Sequence, residues 1–293
     1  MKYIIMCAGE GKRWGNYKGV PKHLIEINGE TLIGRTTRML KEYNVDYVIT
    51  TSDKRYKKYG KTIPQSYNDC EIDRFEDIGE KEICYLYGDV YYTDYALNII
   101  INTPTNGILF FGSDQEIFGI KIVNKDLFME HKNIVKQLFL EGKIWRSIGW
   151  EVYRSLNEIP LEEHQIKDNF VLIQDWTDDI DFPSDYEKFV NRFKGGNMVK
   201  VEVTEDFTLE RFGELKNIIR AGVNTQGRLY KGDVFECSKD LADYLLGGNK
   251  LEKAFVKVIE LIPEKEVETE PIVEPIEEEP ATEPKKTKKK SKK

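Results

Sequence analysis

The residues of this chain whose types and spacing can do chemistry start at its first apolar run. Residues 3–8 are apolar, and the run breaks at Gly9 and Gly11 into a loop carrying Lys12 and Arg13, which closes at Pro21 and Lys22. Glycines at such a break let backbone N–H groups turn inward and approach an anion with no Cβ in the way. Arg13 and Lys22 add full positive charges on two sides, so the stretch reads as a site for a polyphosphate. Asp89 follows the apolar segment 82–87 through Gly88, which puts a carboxylate at the same sheet edge.

The elements that must position these groups follow from periodicity. Residues 31–43 place Leu32, Ile33, Met39 and Leu40 on one side of an amphipathic helix, and 46–50 is a short buried strand. Strand, helix and strand make a βαβ unit with a right-handed crossover and a parallel sheet, whose ligands bind at the carboxyl ends of the strands. Further strands are expected at 82–87, 106–111, 119–123 and 170–173, and helices at 95–101 and 127–140, whereas 53–81 shows no clear period. The last strand leads into WTDDIDFPSDYEKF at 176–189. Tyr91, Tyr92 and Trp176 are candidates to line a pocket for a base or an acceptor, with core packing as the alternative.

Composition narrows the function classes. The 293 residues allow one sizeable core and a second small one, and the net charge of -7 argues against a generic nucleic-acid binder. No apolar run approaches the roughly 18 residues of a membrane span, and the first strand does not read as a signal peptide, so a cytoplasmic protein without membrane insertion is expected. Cys7, Cys70, Cys84 and Cys237 show no CxxC spacing and read as free thiols. The three histidines, His23, His131 and His164, are scattered and suggest no metal site.

The character changes at KGGN, residues 194–197. We expect a first domain over 1–194, a small α+β module over 198–262 and a disordered tail over 263–293, acidic first and basic last. In the module, Val199, Val201 and Val203 alternate as a strand, followed by a helix at 209–219, a strand at 233–237, a helix at 239–246 and a strand at 255–261.

The loop is neither of two familiar phosphate motifs. Walker A needs GxxxxGK followed by Ser or Thr, and the dinucleotide fingerprint needs GxGxxG, whereas Gly9, Gly11 and Gly15 are spaced GxGxxxG. CAGEGKRWG followed by PKHLIEINGETLI instead resembles the signature of the sugar-phosphate and CTP-dependent nucleotidyltransferases. Ala8, Gly9, Gly11, Lys12, Arg13, Pro21, Lys22 and Leu24 match that pattern, and the resemblance runs to about Phe193. It implies a Rossmann-like three-layer α/β/α fold with a mostly parallel sheet, of the nucleotide-diphospho-sugar transferase type. It further implies that Ala8, Gly9, Glu10, Gly11, Lys12 and Arg13 bind the nucleotide, with the β and γ phosphates on the Gly9 to Arg13 backbone and Arg13, and the α-phosphate on Lys22. Asp89 in YGDV matches the family's first metal carboxylate, and DIDFPSDYEKF maps the second onto Asp181, with Asp179 as the alternative. Mg²⁺ suits such a site, because one or two carboxylates with phosphate oxygens and waters complete its octahedral shell.

The reaction class this implies is transfer of a nucleotidyl group from an NTP to a small phosphorylated acceptor such as a sugar phosphate or phosphoalcohol, with release of pyrophosphate. The acceptor pocket falls within 114–174, where Trp145, Arg146 and Trp150 are candidates and Arg146 is a possible grip for a phosphate or carboxylate. A glycosyltransferase of the same fold is the first alternative, disfavoured because Asp89 is followed by Val90 and Tyr91 rather than completing D-x-D. A phage structural or adaptor protein without activity is the second. The module bears a looser resemblance to small proteins of phage and prophage structural regions through GDVFECSKDLADYLLG, which implies an adaptor that docks on a phage or host protein.

Overall fold

This computed structural model describes residues 1–67, 70–173, 175–191, 198–208, 228–246 and 254–262. The chain opens with β1 (Lys2–Met6), the glycine loop, a hairpin of β2 (Glu26–Ile27) and β3 (Glu30–Thr31), α1 (Leu32–Glu42) and β4 (Tyr47–Thr50). It continues through β5 (Thr62–Ile63), β6 (Ile83–Tyr87), β7 (Val90–Tyr91), α2 (Asp94–Asn102), β8 (Ile108–Gly112) and β9 (Ile117–Ile122). Helices α3 (Lys125–Leu140) and α4 (Gly149–Leu156), strands β10 (Phe170–Leu172) and β11 (Asp178–Asp179), and helix α5 (Pro183–Asn191) follow.

Seven strands form one sheet in the order β10-β8-β9-β6-β1-β4-β5. Its pairings are parallel except those of β9, which runs antiparallel to both β6 and β8. The link from β8 to β9 is too short for a crossover, so these neighbours pair as a hairpin. Period two sorts the central strand between two layers of helix. Ile4 and Met6 of β1 pack in a cluster with Phe128, Val135 and Tyr153 from α3 and α4. Tyr3 and Ile5 join Ile33 and Leu40 of α1 and Leu97 of α2 in a second cluster. The expected three-layer α/β/α architecture with a mostly parallel sheet is therefore present.

Boundaries moved where caps and tertiary packing decide them. Helix α3 starts at Lys125 rather than 127, because the Asn124 side chain caps it by accepting the Leu127 N–H at 3.3 Å. Helix α4 was not anticipated: it opens on a glycine, and its apolar residues Trp150, Val152 and Tyr153 become a recognisable face only against the sheet. The aperiodic stretch 53–81 holds single 3₁₀ turns at Lys54–Lys58 and Glu71–Arg74.

After residue 197 come β12 (Met198–Val203), β13 (Phe207–Thr208), β14 (Arg228–Leu229), β15 (Val234–Ser238), α6 (Lys239–Leu245) and β16 (Val256–Ile262). Strand β12 is central in an antiparallel sheet between β15 and β16, and Val199, Val201 and Val203 are buried with Phe235, Cys237 and Leu241. Trp176 belongs to this same buried cluster, and residues 1–263 form one compact unit. The expected helix at 209–219, the boundary at 194–197 and the tail at 263–293 lie outside the described residues. Among the described residues no helix is long and apolar enough to cross a membrane.

Candidate active site

The glycine loop leaves the carboxyl end of β1 and is pinned by Trp14. That indole is 2% exposed and donates its Nε1–H to the Val20 carbonyl at 2.8 Å. Gly11 takes φ +62°, a conformation that other residues rarely adopt, so the turn there depends on its lack of a Cβ. The loop ends in a 3₁₀ turn, Lys22–Leu24, which buries Lys22 at the head of the sheet.

Asp89 sits in the turn after β6. Its neighbour Gly88 lies so close to the end of β1 that a Cβ would come within 2.6 Å of the Met6 carbonyl oxygen. Ninety residues further on, β11 pairs antiparallel with β7, Asp178 opposite Tyr91 and Asp179 opposite Val90. The Ile180 N–H then donates to the Asp89 carbonyl at 2.9 Å and its side chain is fully buried. That ladder carries Asp181 to Asp89.

The result is one ionic cluster. Lys22 Nζ contacts Asp89 Oδ2 and lies 2.8 Å from Asp181 Oδ1, while Arg13 Nη1 lies 2.6 Å from Asp181 Oδ2. Burial works against the Lys22 charge, but Asp89 and then Asp181 outweigh it and raise the ammonium above its ordinary value. Burial likewise works against the Asp89 carboxylate, and the Lys22 and His23 neighbours overcome it and bring it down to about 2. At neutral pH both are therefore charged.

A cavity of about 320 Å³ opens over this cluster, within the size range of small-ligand sites. Gly9, Glu10, Gly11, Lys12 and Arg13 line it, as do Lys22, Asp89 and Asp181. Ala8 is half-buried at the strand end and is not part of the lining, while Lys12 points outward and pairs with Glu10 at 2.8 Å. A second cavity of about 350 Å³ shares Arg13, Lys22, Asp89 and Asp181 and extends over Trp145, Arg146 and Trp150. Two cavities that meet at one charged cluster suit two substrates that react there. Arg146 is already engaged, since its Nε is 2.8 Å from Glu151 Oε1 and its guanidinium lies 4.8 Å from the Trp145 ring centroid.

Three residues that line both cavities, Glu71, Arg74 and Tyr87, escaped sequence reasoning. Glu71 and Arg74 come from the single 3₁₀ turn in the aperiodic stretch, too short to show a period. The Arg74 guanidinium reaches the loop, its Cζ 3.3 Å from where a Cβ on Gly9 would sit. Three aromatic candidates fall outside both linings. Tyr91 packs at 4.6 Å on Phe189, Tyr92 is fully buried with its hydroxyl on the Phe118 carbonyl at 2.5 Å, and Trp176 is buried with Val199 and Val201 of β12. His23 does line the first cavity, its ring buried against the Tyr56 hydroxyl at 2.9 Å. Asp179 lines the second cavity and groups with Glu116 and Asp178, their carboxylate oxygens within 4.8 Å of one another. Burial, with Glu116, Asp181, Asp89 and Asp178 around it, pushes Asp179 up to about 9.

Comparison with known proteins covers part of this chain. Residues 3–75 match the model of the MobA-like NTP transferase domain, a segment that includes the loop, Lys22 and Arg74 but ends before Asp89. No curated protein matches the sequence. Similar solved structures include the inositol-1-phosphate CTP transferase from T. maritima, at 14% identity and a TM-score of 0.42 over 67% of this chain and 96% of that one. A putative glucose-1-phosphate thymidylyltransferase from Bacillus anthracis has 14% identity and a TM-score of 0.44 over 65% and 94% of the respective chains. The CTP:phosphocholine cytidylyltransferase from Streptococcus pneumoniae has 15% identity and a TM-score of 0.43 over 65% and 97%.

Proposed function

We propose that this protein is a divalent-cation-dependent nucleotidyltransferase that moves a nucleotidyl group from an NTP to a small phosphorylated acceptor. The observation that carries this reading is the convergence of Arg13, Lys22, Asp89 and Asp181 under a loop inside the NTP transferase match. Backbone N–H groups around Gly9 and Gly11 bind the outer phosphates, and Arg13 adds charge on the same side. The acceptor enters from the second cavity, over Trp145 and Trp150. One of its phosphate oxygens attacks the α-phosphorus in line, forming a new P–O–P bridge while the bond to the β-phosphate oxygen breaks and pyrophosphate leaves. A phosphate acceptor is already ionised at neutral pH, so the attack needs no general base.

Asp89 and Asp181 fit a hard divalent cation, because both present carboxylate oxygens to one positive centre, the Lys22 ammonium. A cation such as Mg²⁺ held there supplies charge stabilisation to the reacting phosphates. Lys22 stabilises the negative charge that develops on the non-bridging α-phosphate oxygens, and Arg13 that on the leaving pyrophosphate.

Incubation with each NTP, a divalent cation and a panel of phosphorylated sugars and alcohols, with pyrophosphate as the readout, tests the reading. Lys22→Ala and Asp89→Asn are each expected to lower turnover by about two or more orders of magnitude with the fold intact. Absence of pyrophosphate with every donor and acceptor counts against the activity, and full cation-dependent turnover in Asp89→Asn counts against the cation site. The small module over 198–262 is proposed as a non-catalytic docking unit, since the lining residues of both cavities precede it.

A further inference from the structure

We infer that Lys22 is the resident counter-cation of the Asp89 and Asp181 pair, and that a divalent cation binds these carboxylates by displacing the Lys22 ammonium toward the triphosphate. This rests on the proposed function, which takes the two carboxylates as the cation's ligands. Lys22 Nζ touches an oxygen of each carboxylate, and Arg13 takes the other oxygen of Asp181. The Lys22 side chain is only 10% exposed, so this is a seated contact rather than a surface encounter.

The charge balance makes the arrangement consequential. Two carboxylates and two cations cancel, so a triphosphate approaching the loop meets little net attraction from Lys22 and Arg13, both of which are committed to aspartates. A divalent cation satisfies the two carboxylates by itself. Lys22 and Arg13 then become uncompensated positive groups at the mouth of the cavity, and the flexible four-carbon stem of Lys22 lets its ammonium move. Cation and nucleotide must therefore strengthen each other's binding, and linkage makes the effect reciprocal. The triphosphate performs the complementary step by giving the displaced ammonium an anionic partner.

The test is a titration of the full-length protein with Mn²⁺, free ion being followed by electron paramagnetic resonance, alone and with saturating CTP, UTP, GTP or ATP. The wild-type protein is expected to bind Mn²⁺ about tenfold more tightly in the presence of the nucleotide it accepts. Without nucleotide, Lys22→Met and Lys22→Gln are each expected to bind Mn²⁺ about tenfold more tightly than wild type, because the competing charge is gone. Both variants should lose most of the nucleotide's enhancement, with circular dichroism confirming the fold. Unchanged or weaker Mn²⁺ binding by folded Lys22 variants overturns the inference, as does a wild-type affinity indifferent to all four nucleotides. Asp89→Asn separates the two levels of the argument. Loss of Mn²⁺ binding in that variant upholds the cation site whatever the lysine does, whereas wild-type binding overturns the site and the inference together.

Discussion

His23 shows how strongly burial acts on single residues beside this site. Its ring is buried, and desolvation first, with Lys22 and Arg74 adding, lowers it to about 4 against an ordinary 6.5. The unfolded chain therefore binds a proton that the folded one refuses between those values, so stability is fully present above pH 6.5 and falls as pH drops toward 4. The loss amounts to on the order of 3 kcal/mol. Thermal denaturation between pH 7 and 4 should show it, and His23→Gln should flatten the profile in that window. Asp179 has the opposite sign, because its folded carboxyl is raised to about 9 and holds a proton that the unfolded chain has released. Its cost grows as pH rises from the ordinary carboxylate range toward 9. Asp179→Asn is expected to stabilise the protein by at least about 1 kcal/mol at pH 8 and by less at pH 5, measured by denaturant unfolding. Asp181→Asn should instead abolish turnover, which tells the two candidate ligands apart.

At the scale of elements, the pairing of β7 with β11 brings the second carboxylate to the first, and Asp175 secures that approach. This fully buried side chain accepts the Thr93 hydroxyl at the start of α2 and the Thr177 N–H at 2.7 Å, while the Thr93 N–H donates to the Thr177 hydroxyl at 3.1 Å. Asp175→Ala is expected to cost about 2–3 kcal/mol in denaturant unfolding, since it removes two buried hydrogen bonds and leaves their donors without an acceptor. The same variant should lower turnover at saturating substrate by displacing Asp181. Helices α1, α2 and α3 and most central strands were legible from apolar period to within about two residues. Helix α4 and the 3₁₀ turn carrying Glu71 and Arg74 were not, because a glycine start hides one and the other is a single turn.

At the scale of the whole molecule, the core of the small module is not independent of the chain that precedes it. Trp176, which lies before the expected boundary at 194–197, is buried with Val199, Val201, Phe235 and Leu241 of the small module. A chain ending at residue 194 would expose that indole. It is expected to melt roughly 5–10 °C below the full-length protein, read by calorimetry. An unchanged melting temperature would favour the module as a detachable appendage, as composition alone suggested.

The sequence by itself pointed to a polyphosphate site. Glycines at the end of an apolar strand, with Arg13 and Lys22 at fixed spacings, are local features, and local spacing survives any choice of tertiary arrangement. It also carried Asp89, since a residue that follows a parallel strand must lie at the ligand edge of the sheet. Only the tertiary structure gave Asp179 and Asp181 different surroundings, because carboxylates that are interchangeable in sequence differ only when one meets Lys22 and Arg13 and another meets Glu116 and Asp178. It also removed Tyr91, Tyr92 and Trp176 from the pocket and placed Arg74 in it. Those outcomes depend on contacts between residues far apart in the chain, and no period or spacing encodes them.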